Sequence, residues 1–277
     1  MNFSLCSDGL KLFDGENALF GDIKAYIMTE KDEKTYLEFK TSGEDYAQFA
    51  LEELGASLRV SIEQAGNSSA IRIKASYKPE TFFAKKHNIH FYDEHAAGIE
   101  FKPCEDLGTF TAIHRRGEYW VRVAFPENPG EIPETTQALL MPYSSFNFFA
   151  AAVCDKEFKG NFIGDEGGRM SLYVWDNCHS NECDTIAAVM SVGGDWNALI
   201  PRVIEDGFKA LGKEPVMRSD KDLPQILNWF GWCSWDALHL NVSHETLCQK
   251  AQEFKDKNIP AKWMMIDDIP QPMITML

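Results

Sequence analysis

Two stretches of this sequence, Trp229–Asp236 (WFGWCSWD) and Trp263–Asp268 (WMMIDD), decide how its fold is interpreted. Each contains a short apolar run typical of a buried strand, and the segment between them has helical spacing. A helix is predicted from Ser243 to Asn258, because Ser243 can cap its start and Pro260 prevents its continuation. Strand, helix and strand with short links predict a parallel pair joined by a right-handed crossover.

The two predicted strands run from Asn228 through Trp235 and from Lys262 to Ile266. In a (β/α)8 barrel the carboxyl ends of the parallel strands face the mouth of the active site. An aromatic platform and two carboxylates delivered at those ends would therefore meet in one pocket. An aromatic face against the C–H face of a sugar, with carboxylates that accept protons from its hydroxyls, suits a hexose site.

Through about residue 192, short alternating or β-branched runs separated by turn residues indicate antiparallel sheet, and seven or more of them imply a large β-sandwich. Two further runs, Phe146–Val153 and Thr185–Ser191, are short enough for strands, although their periodicity leaves buried helix open. The clearest strand-like runs are Tyr36–Lys40, Ser57–Ile62, Ala70–Lys74, Trp120–Phe125 and Met170–Trp175.

A change of pattern follows Gly193-Gly194. Apolar residues then recur at helical spacing, which predicts one amphipathic helix at about 196–211. The next stretch, Lys213–Leu223, is charged and poor in apolar residues, which favours a domain boundary near residue 224. The prediction is a mainly β protein, with a β-sandwich over 1–224 and the start of a (β/α)8 catalytic barrel over 225–277.

Composition and charge exclude several classes of partner. Lys and Arg number 27 against 42 Asp and Glu, and the net charge of -15 would repel nucleic acid and anionic lipid surfaces. No run approaches the roughly 20 apolar residues that span a bilayer, and the first residues lack the pattern of a signal peptide. Seven cysteines spread along the chain do not form a dense disulfide framework. A cytoplasmic protein with no membrane or nucleic-acid partner is expected.

The motif GWCSWDA at 231–237, together with IDD at 266–268, closely resembles the raffinose synthase and seed-imbibition (Sip1-like) group, which is related to glycoside hydrolase family 36 α-galactosidases. Glu134–Leu140 (ETTQALL), Tyr143 and Leu223–Trp229 (LPQILNW) resemble other landmarks of that group in the same order. The resemblance implies an amino-terminal β-sandwich followed by a (β/α)8 barrel. It also implies a retaining glycosidase that acts on terminal α-galactosyl groups of raffinose-family oligosaccharides without a metal or organic cofactor.

Site residues carried over by the resemblance are all for substrate binding. Trp235 would pack on the galactose ring, Asp267 and Asp268 would hydrogen-bond its outer hydroxyls, and Trp232 would shape the wall. The resemblance places the nucleophile and the acid/base on later strands, so no catalytic residue is expected in this chain, which resembles an inactive amino-terminal fragment. The sequence departs from the group after IDD, where Ile269–Gln271 replaces Gly, an aromatic residue and usually Gln.

Other interpretations of the same residues remain open. Trp232 and Trp235 can be core aromatics, and one of Asp267 and Asp268 can simply cap the following turn. Whether the parent enzyme hydrolyses or transfers galactose depends on how water and the acceptor compete. The alternative from a different class is a non-catalytic carbohydrate-binding or scaffolding β-sandwich. The sequence makes no prediction of the oligomeric state.

Overall fold

The computed structural model describes residues 1–28, 34–77, 85–87, 91–93, 97–116, 120–155, 158–165, 167–176 and 182–267. The chain divides into two compact units, Met1–Pro215 and Val216–Leu277. The division falls before the residue 224 suggested by the sequence. The residues between the two positions are mostly exposed.

In its described residues, the first unit consists of short and medium strands followed by one α-helix. In chain order these are β1 (Asn2–Cys6), β2 (Gly9–Asp14), β3 (Asn17–Met28), β4 (Lys34–Ser42), β5 (Tyr46–Leu51), β6 (Ala56–Ala65), β7 (Ser68–Ser76), β8 (Lys85–His87), β9 (Phe91–Asp93), β10 (Ala97–Pro103), β11 (Thr111–Arg116), β12 (Trp120–Ala124), β13 (Thr136–Pro142), β14 (Asn147–Ala152), β15 (Cys154–Asp155), β16 (Phe158–Gly164), β17 (Met170–Asp176), β18 (Glu182–Gly193) and α1 (Trp196–Ala210). The predicted mainly β class is confirmed. Both runs left open between strand and helix are strands, namely β14 and β18.

In the described part of the first unit, 16 strands belong to one sheet, in the order β12-β11-β13-β14-β18-β7-β6-β5-β4-β3-β10-β17-β16-β15, with β2 joining β1 to β3. A pairing between β13 and β16, at Thr136 and Phe162, closes 11 of these strands into a ring. The hydrogen bonding therefore does not separate two sheets, as a sandwich of independent layers would require. Irregular register in the β10–β3 and β18–β7 pairs is one reason, since such bulges bend strands and allow a sheet to curve.

The inside of the ring is filled by apolar side chains from alternate strand positions. Phe20 lies edge-on to Phe101, Phe148 and Tyr143, with ring centroids 4.8, 5.1 and 6.4 Å away. The Tyr143 hydroxyl donates a hydrogen bond of 2.7 Å to the carbonyl oxygen of Leu19, which satisfies the one polar atom of that ring. Burial raises the pKa of Tyr143 above its usual range.

Helix α1 covers part of the outer face of the sheet, where Leu199 and Val203 pack on β7, β14 and β18. Buried Asp206 fixes the helix to the β6–β7 turn, because its Oδ2 accepts hydrogen bonds from Ser68 Oγ at 2.7 Å and from the Asn67 amide at 3.1 Å. Gly66 in that turn has φ +57° and lies so close to Asp206 that a side chain would collide with the carboxylate. The helix lies where the sequence predicted it, at 196–211.

The second unit contains β19 (Gly231–Cys233), α2 (Trp235–Leu238), α3 (His244–Asp256) and β20 (Trp263–Met265). Helix α3 confirms the predicted cap: Ser243 Oγ accepts from the Thr246 amide at 3.2 Å, and Thr246 Oγ1 accepts from the Ser243 amide at 2.9 Å. The first strand is shorter than predicted, since Asn228 ends a 3-10 turn and Trp235 begins α2. Among the helices of the described residues, none is both long and apolar enough to cross a membrane.

Candidate functional site

The two motif strands pair directly in the second unit. β19 and β20 are parallel, with Gly231 opposite Trp263 and Cys233 opposite Met265. The parallel pairing predicted from the sequence is confirmed. The carboxyl ends of the two strands therefore lie at the same edge of the pair, and the residues that follow each strand start from neighbouring points.

At that edge the chain turns out of the first strand at Ser234, whose backbone is helical with φ −71° and ψ −23°. Its carbonyl oxygen accepts from the amides of Ala237 at 3.2 Å and Leu238 at 2.8 Å, which starts α2. This is the physical reason why the predicted strand stops at Cys233. Trp235 consequently lies at the beginning of a helix and not on the strand itself.

Ser234 also contacts the end of the second strand. Its amide donates to the carbonyl oxygen of Met265 at 3.0 Å, and its Oγ accepts from the Asp267 amide at 2.8 Å. The same hydroxyl lies 3.3 Å from the Asp267 carbonyl oxygen, to which it donates. Ser234 lies inside the first motif, but no role was predicted for it from the sequence. A small polar residue between a strand end and an aromatic residue was the signal available.

Trp263 anchors the segment that precedes β19. Its indole Nε1 donates to the carbonyl oxygens of Ile226 at 3.0 Å and Trp229 at 3.3 Å. Its ring lies over Gly231, in space that a Cβ at that position would occupy. Gly231 is therefore required by the close approach of the indole, and not by its own backbone conformation.

The predicted aromatic residues have different surroundings. Trp232 is half-buried and lies edge-on to Phe254 of α3, with ring centroids 5.8 Å apart, so its ring packs on the helix. Trp235 is 40% exposed and lies edge-on to His239 at 5.5 Å. Part of the Trp235 ring is therefore open to solvent, whereas the contact of Trp232 with Phe254 agrees with the alternative that Trp232 is a packing residue.

Of the two predicted carboxylates, only Asp267 lies within the described residues. Asp267 is exposed, and its main chain is held by Ser234 as described above. Asp268 lies outside the described residues. Trp235 and Asp267 are thus joined through a single intervening residue, because Ser234 precedes Trp235 in the chain and hydrogen-bonds Asp267. Within the described ranges, no group of three or more His, Cys, Asp or Glu side chains could hold a metal ion.

A second polar cluster, which sequence reasoning missed, lies on the first unit around Glu100 of β10. Glu100 is fully buried and accepts hydrogen bonds from the Tyr36 hydroxyl at 2.9 Å and from Arg169 Nε at 3.2 Å. Lys34 also pairs with Glu100 and lies 3.6 Å from Asp165 Oδ2. Burial, followed by the contact with Glu100, raises the pKa of Tyr36 to about 12. The buried carboxylate of Glu100 is thus paired with two cations, Lys34 and Arg169.

Fold and site together define a class: a large closed β domain, followed by a parallel strand pair whose shared edge carries an aromatic residue and an acidic residue. Residues 202–274 match the family described as raffinose synthase or seed imbibition protein Sip1. This range includes both motifs and confirms the resemblance inferred from the sequence.

Two curated relatives from Arabidopsis thaliana match a longer part of the chain. The chain is 41% identical over 181 residues to probable galactinol–sucrose galactosyltransferase 1, a match that covers 59% of this chain and 23% of the relative. It is 43% identical over 167 residues to probable galactinol–sucrose galactosyltransferase 4, covering 57% of this chain and 18% of the relative. The chain therefore spans less than a quarter of either relative.

Similarity to solved structures is weaker. A variant of the family 36 α-galactosidase AgaA from Geobacillus stearothermophilus, in complex with stachyose, has a TM-score of 0.40 and 8% identity over 96% of this chain and 39% of that one. Another AgaA variant, in complex with raffinose, has a TM-score of 0.34 and 7% identity over 88% of this chain and 40% of that one. TM-scores of this size do not by themselves establish a common fold.

Proposed function

We propose that the second unit supplies part of a binding site for the terminal α-galactosyl group of raffinose-family oligosaccharides. The parent protein would be a galactosyltransferase or an α-galactosidase. In this proposal Trp235 packs on the galactose ring, while Asp267 and Asp268 accept hydrogen bonds from its outer hydroxyls. Trp232 supports the wall from behind through its contact with α3. The single observation that carries the proposal is the parallel β19–β20 pair, which brings the residues that follow both strands to one edge.

The chemistry of a galactoside fits the described residues. A partly exposed indole offers an apolar face to the C–H face of the sugar, and an exposed carboxylate offers strong acceptors to its hydroxyls. The names of the curated relatives support the substrate class, since both include a galactosyl transfer to sucrose. The family match supports the location, because it contains every proposed contact residue.

The proposal assigns no bond cleavage to this chain. A retaining mechanism needs a nucleophilic carboxylate and an acid/base carboxyl about 5 to 5.5 Å apart across one glycosidic bond. Asp267 and Asp268 are assigned to hydroxyl binding and not to this pair. The resemblance places both catalytic groups on later strands.

The finer fold is part of the same proposal. We regard residues 225–277 as the start of a (β/α)8 barrel, because parallel strands linked through helices, with polar residues after their carboxyl ends, are the repeating unit of that fold. We regard residues 1–224 as the β-sandwich domain that precedes it, its two layers being opposite walls of the closed sheet.

Binding is the first test. Calorimetric titration of the 277-residue chain with raffinose should give a weak dissociation constant, on the order of 1 mM, because few contacts must offset the cost of association. Trp235→Ala and Asp267→Asn should each weaken binding about tenfold. The matched controls are Trp120→Ala, an exposed tryptophan of the first unit, and Asp222→Asn, an exposed carboxylate before the first motif. Equal losses in controls and site variants would contradict the proposal.

Hydrolysis is the second test. The chain should not release nitrophenol from a nitrophenyl α-galactoside above the rate of a buffer blank. Turnover above that rate would show that this chain carries its own catalytic groups, contrary to the proposal. Raffinose binding that survives Trp235→Ala and Asp267→Asn but requires residues of the first unit would favour the alternative, a non-catalytic carbohydrate-binding sandwich.

A further inference from the structure

We infer that Ser234 is a positioning residue that holds the two halves of the proposed sugar site in register. The inference rests on the proposed function and adds to it a residue that would not touch the sugar. Ser234 lies between the aromatic half, which begins at Trp235, and the acidic half, which begins at Asp267.

Hydrogen bonds to the acidic half support this role. The hydroxyl accepts from the Asp267 amide at 2.8 Å and donates to the Asp267 carbonyl oxygen, 3.3 Å away. The Ser234 amide donates to the carbonyl oxygen of Met265 at 3.0 Å, which extends the pairing of the two strands by one further hydrogen bond. The main chain of Asp267 is thus held from both sides by one side chain.

Hydrogen bonds to the aromatic half come from the other end of the same residue. The Ser234 carbonyl oxygen accepts from the amides of Ala237 and Leu238, which sets the direction of α2. Trp235 is the first residue of α2. The direction in which its side chain leaves the main chain therefore depends on the backbone conformation of Ser234. A shift at Ser234 would therefore move the indole and the acidic main chain relative to each other.

Burial distinguishes Ser234 from its surroundings. In the second unit it is the only described residue that is fully buried, with 0% exposure. A buried hydroxyl without partners is costly, and this one is satisfied entirely by the strand end opposite. An apolar residue of the same size would fill the space but would leave the Asp267 amide without its acceptor. The hydroxyl is therefore needed for its hydrogen bonds and not only for its volume.

The test compares Ser234→Thr with Ser234→Val in the full 277-residue chain. Thr and Val have nearly the same shape, and only Thr keeps a hydroxyl, so their difference isolates the hydrogen bonds from the volume. Amide hydrogen exchange at Asp267 should be about tenfold faster in the Val variant than in the Thr variant. Raffinose binding should be roughly three- to tenfold weaker in the Val variant. Exchange within α3 should be the same in both.

The outcomes separate this inference from the proposed function. Equal exchange at Asp267 in the Thr and Val variants overturns the positioning role, whatever the binding result. Faster exchange in the Val variant with unchanged raffinose affinity also overturns it, because the hydroxyl then orders the strand end without serving the site. If the unmodified chain does not bind raffinose, the proposed function fails, and the inference fails with it as a statement about a sugar site. In that case the exchange difference alone shows whether the hydroxyl links the two strands.

Discussion

The two units of this chain are stabilised in different ways. The first closes a sheet around a large apolar core, in which residues such as Phe148 are 1% exposed. The second has only Ser234 fully buried among its described residues, and its structure depends on individual hydrogen bonds at Ser234, Trp263 and Ser243. Burial therefore fixes the scaffold, whereas a few polar contacts fix the geometry of the proposed site. The two units should therefore respond differently to substitution.

The largest effect is expected in the core of the first unit. Phe148→Ala should lower its free energy of unfolding by about 3 to 5 kcal/mol, since a large buried ring leaves a cavity. Urea denaturation followed by far-UV circular dichroism measures this. Phe254→Ala, the matched change in the half-buried partner of Trp232, should alter the same transition by less than about 0.5 kcal/mol. Comparable losses of unfolding free energy from the two changes would contradict the stated difference between the two units.

The next effect concerns the β6–β7 turn, which is hydrogen-bonded to Asp206 of α1. Gly66→Ala should destabilise the first unit by about 2 to 4 kcal/mol, because it adds backbone strain at positive φ and a collision with Asp206. Gly15→Ala is the control, since Gly15 has φ +59° with nothing near its Cβ position and should cost only about 1 to 2 kcal/mol. If urea denaturation gave equal losses of unfolding free energy for Gly66→Ala and Gly15→Ala, Asp206 would not hold the helix against this turn.

A smaller effect, confined to the second unit, is expected at the strand pair. Gly231→Ala should displace the Trp263 ring and break its hydrogen bond to Ile226, at a cost of about 1 to 3 kcal/mol. The indole resonance of Trp263 should shift and its N–H should exchange faster, while the unfolding transition of the first unit stays in place. Gly194→Ala, where a Cβ meets nothing, is the control. An unchanged Trp263 resonance in Gly231→Ala would count against the described contact.

The smallest effect is a pH dependence in the first unit. Folding raises the pKa of Tyr36 to about 12 through burial and the hydrogen bond to Glu100. A raised pKa means that folding favours the neutral phenol, so this contribution is complete below the unfolded pKa of about 10 and is lost as the pH rises toward 12. Ultraviolet titration of Tyr36→Phe should lack one late phenol relative to the unmodified chain. A missing phenol step near pH 10, and not near pH 12, would refute this assignment.

Much of the fold was predictable because its patterns are local. Alternation identified β4, β6 and β7, and the Ser243 cap together with Pro260 placed α3 within two residues of its ends. The closure of the sheet was not predictable, because it depends on one long-range pairing between Thr136 and Phe162. Sequence periodicity carries no information about which distant strands meet.

For the proposed site, the sequence predicted only that the ends of the two motif strands lie side by side. The parallel pairing followed from strand, helix and strand, but the end of β19 did not, because it depends on the helical backbone conformation of Ser234. The aromatic run from Trp229 to Trp235 looks continuous in the sequence, and only the hydrogen bonds to Ala237 and Leu238 show where it bends. The Glu100 cluster was also missed, since its members are far apart in the chain.

The central claim is that Trp235 and Asp267 contact the same galactoside. The most direct measurement is a titration of the isotope-labelled chain with raffinose, followed by proton–nitrogen correlation spectra. We expect the resonances of the Trp235 indole N–H and the Asp267 amide to shift together with one dissociation constant. Shifts confined to the first unit, or a Trp235 response without one at Asp267, would contradict it.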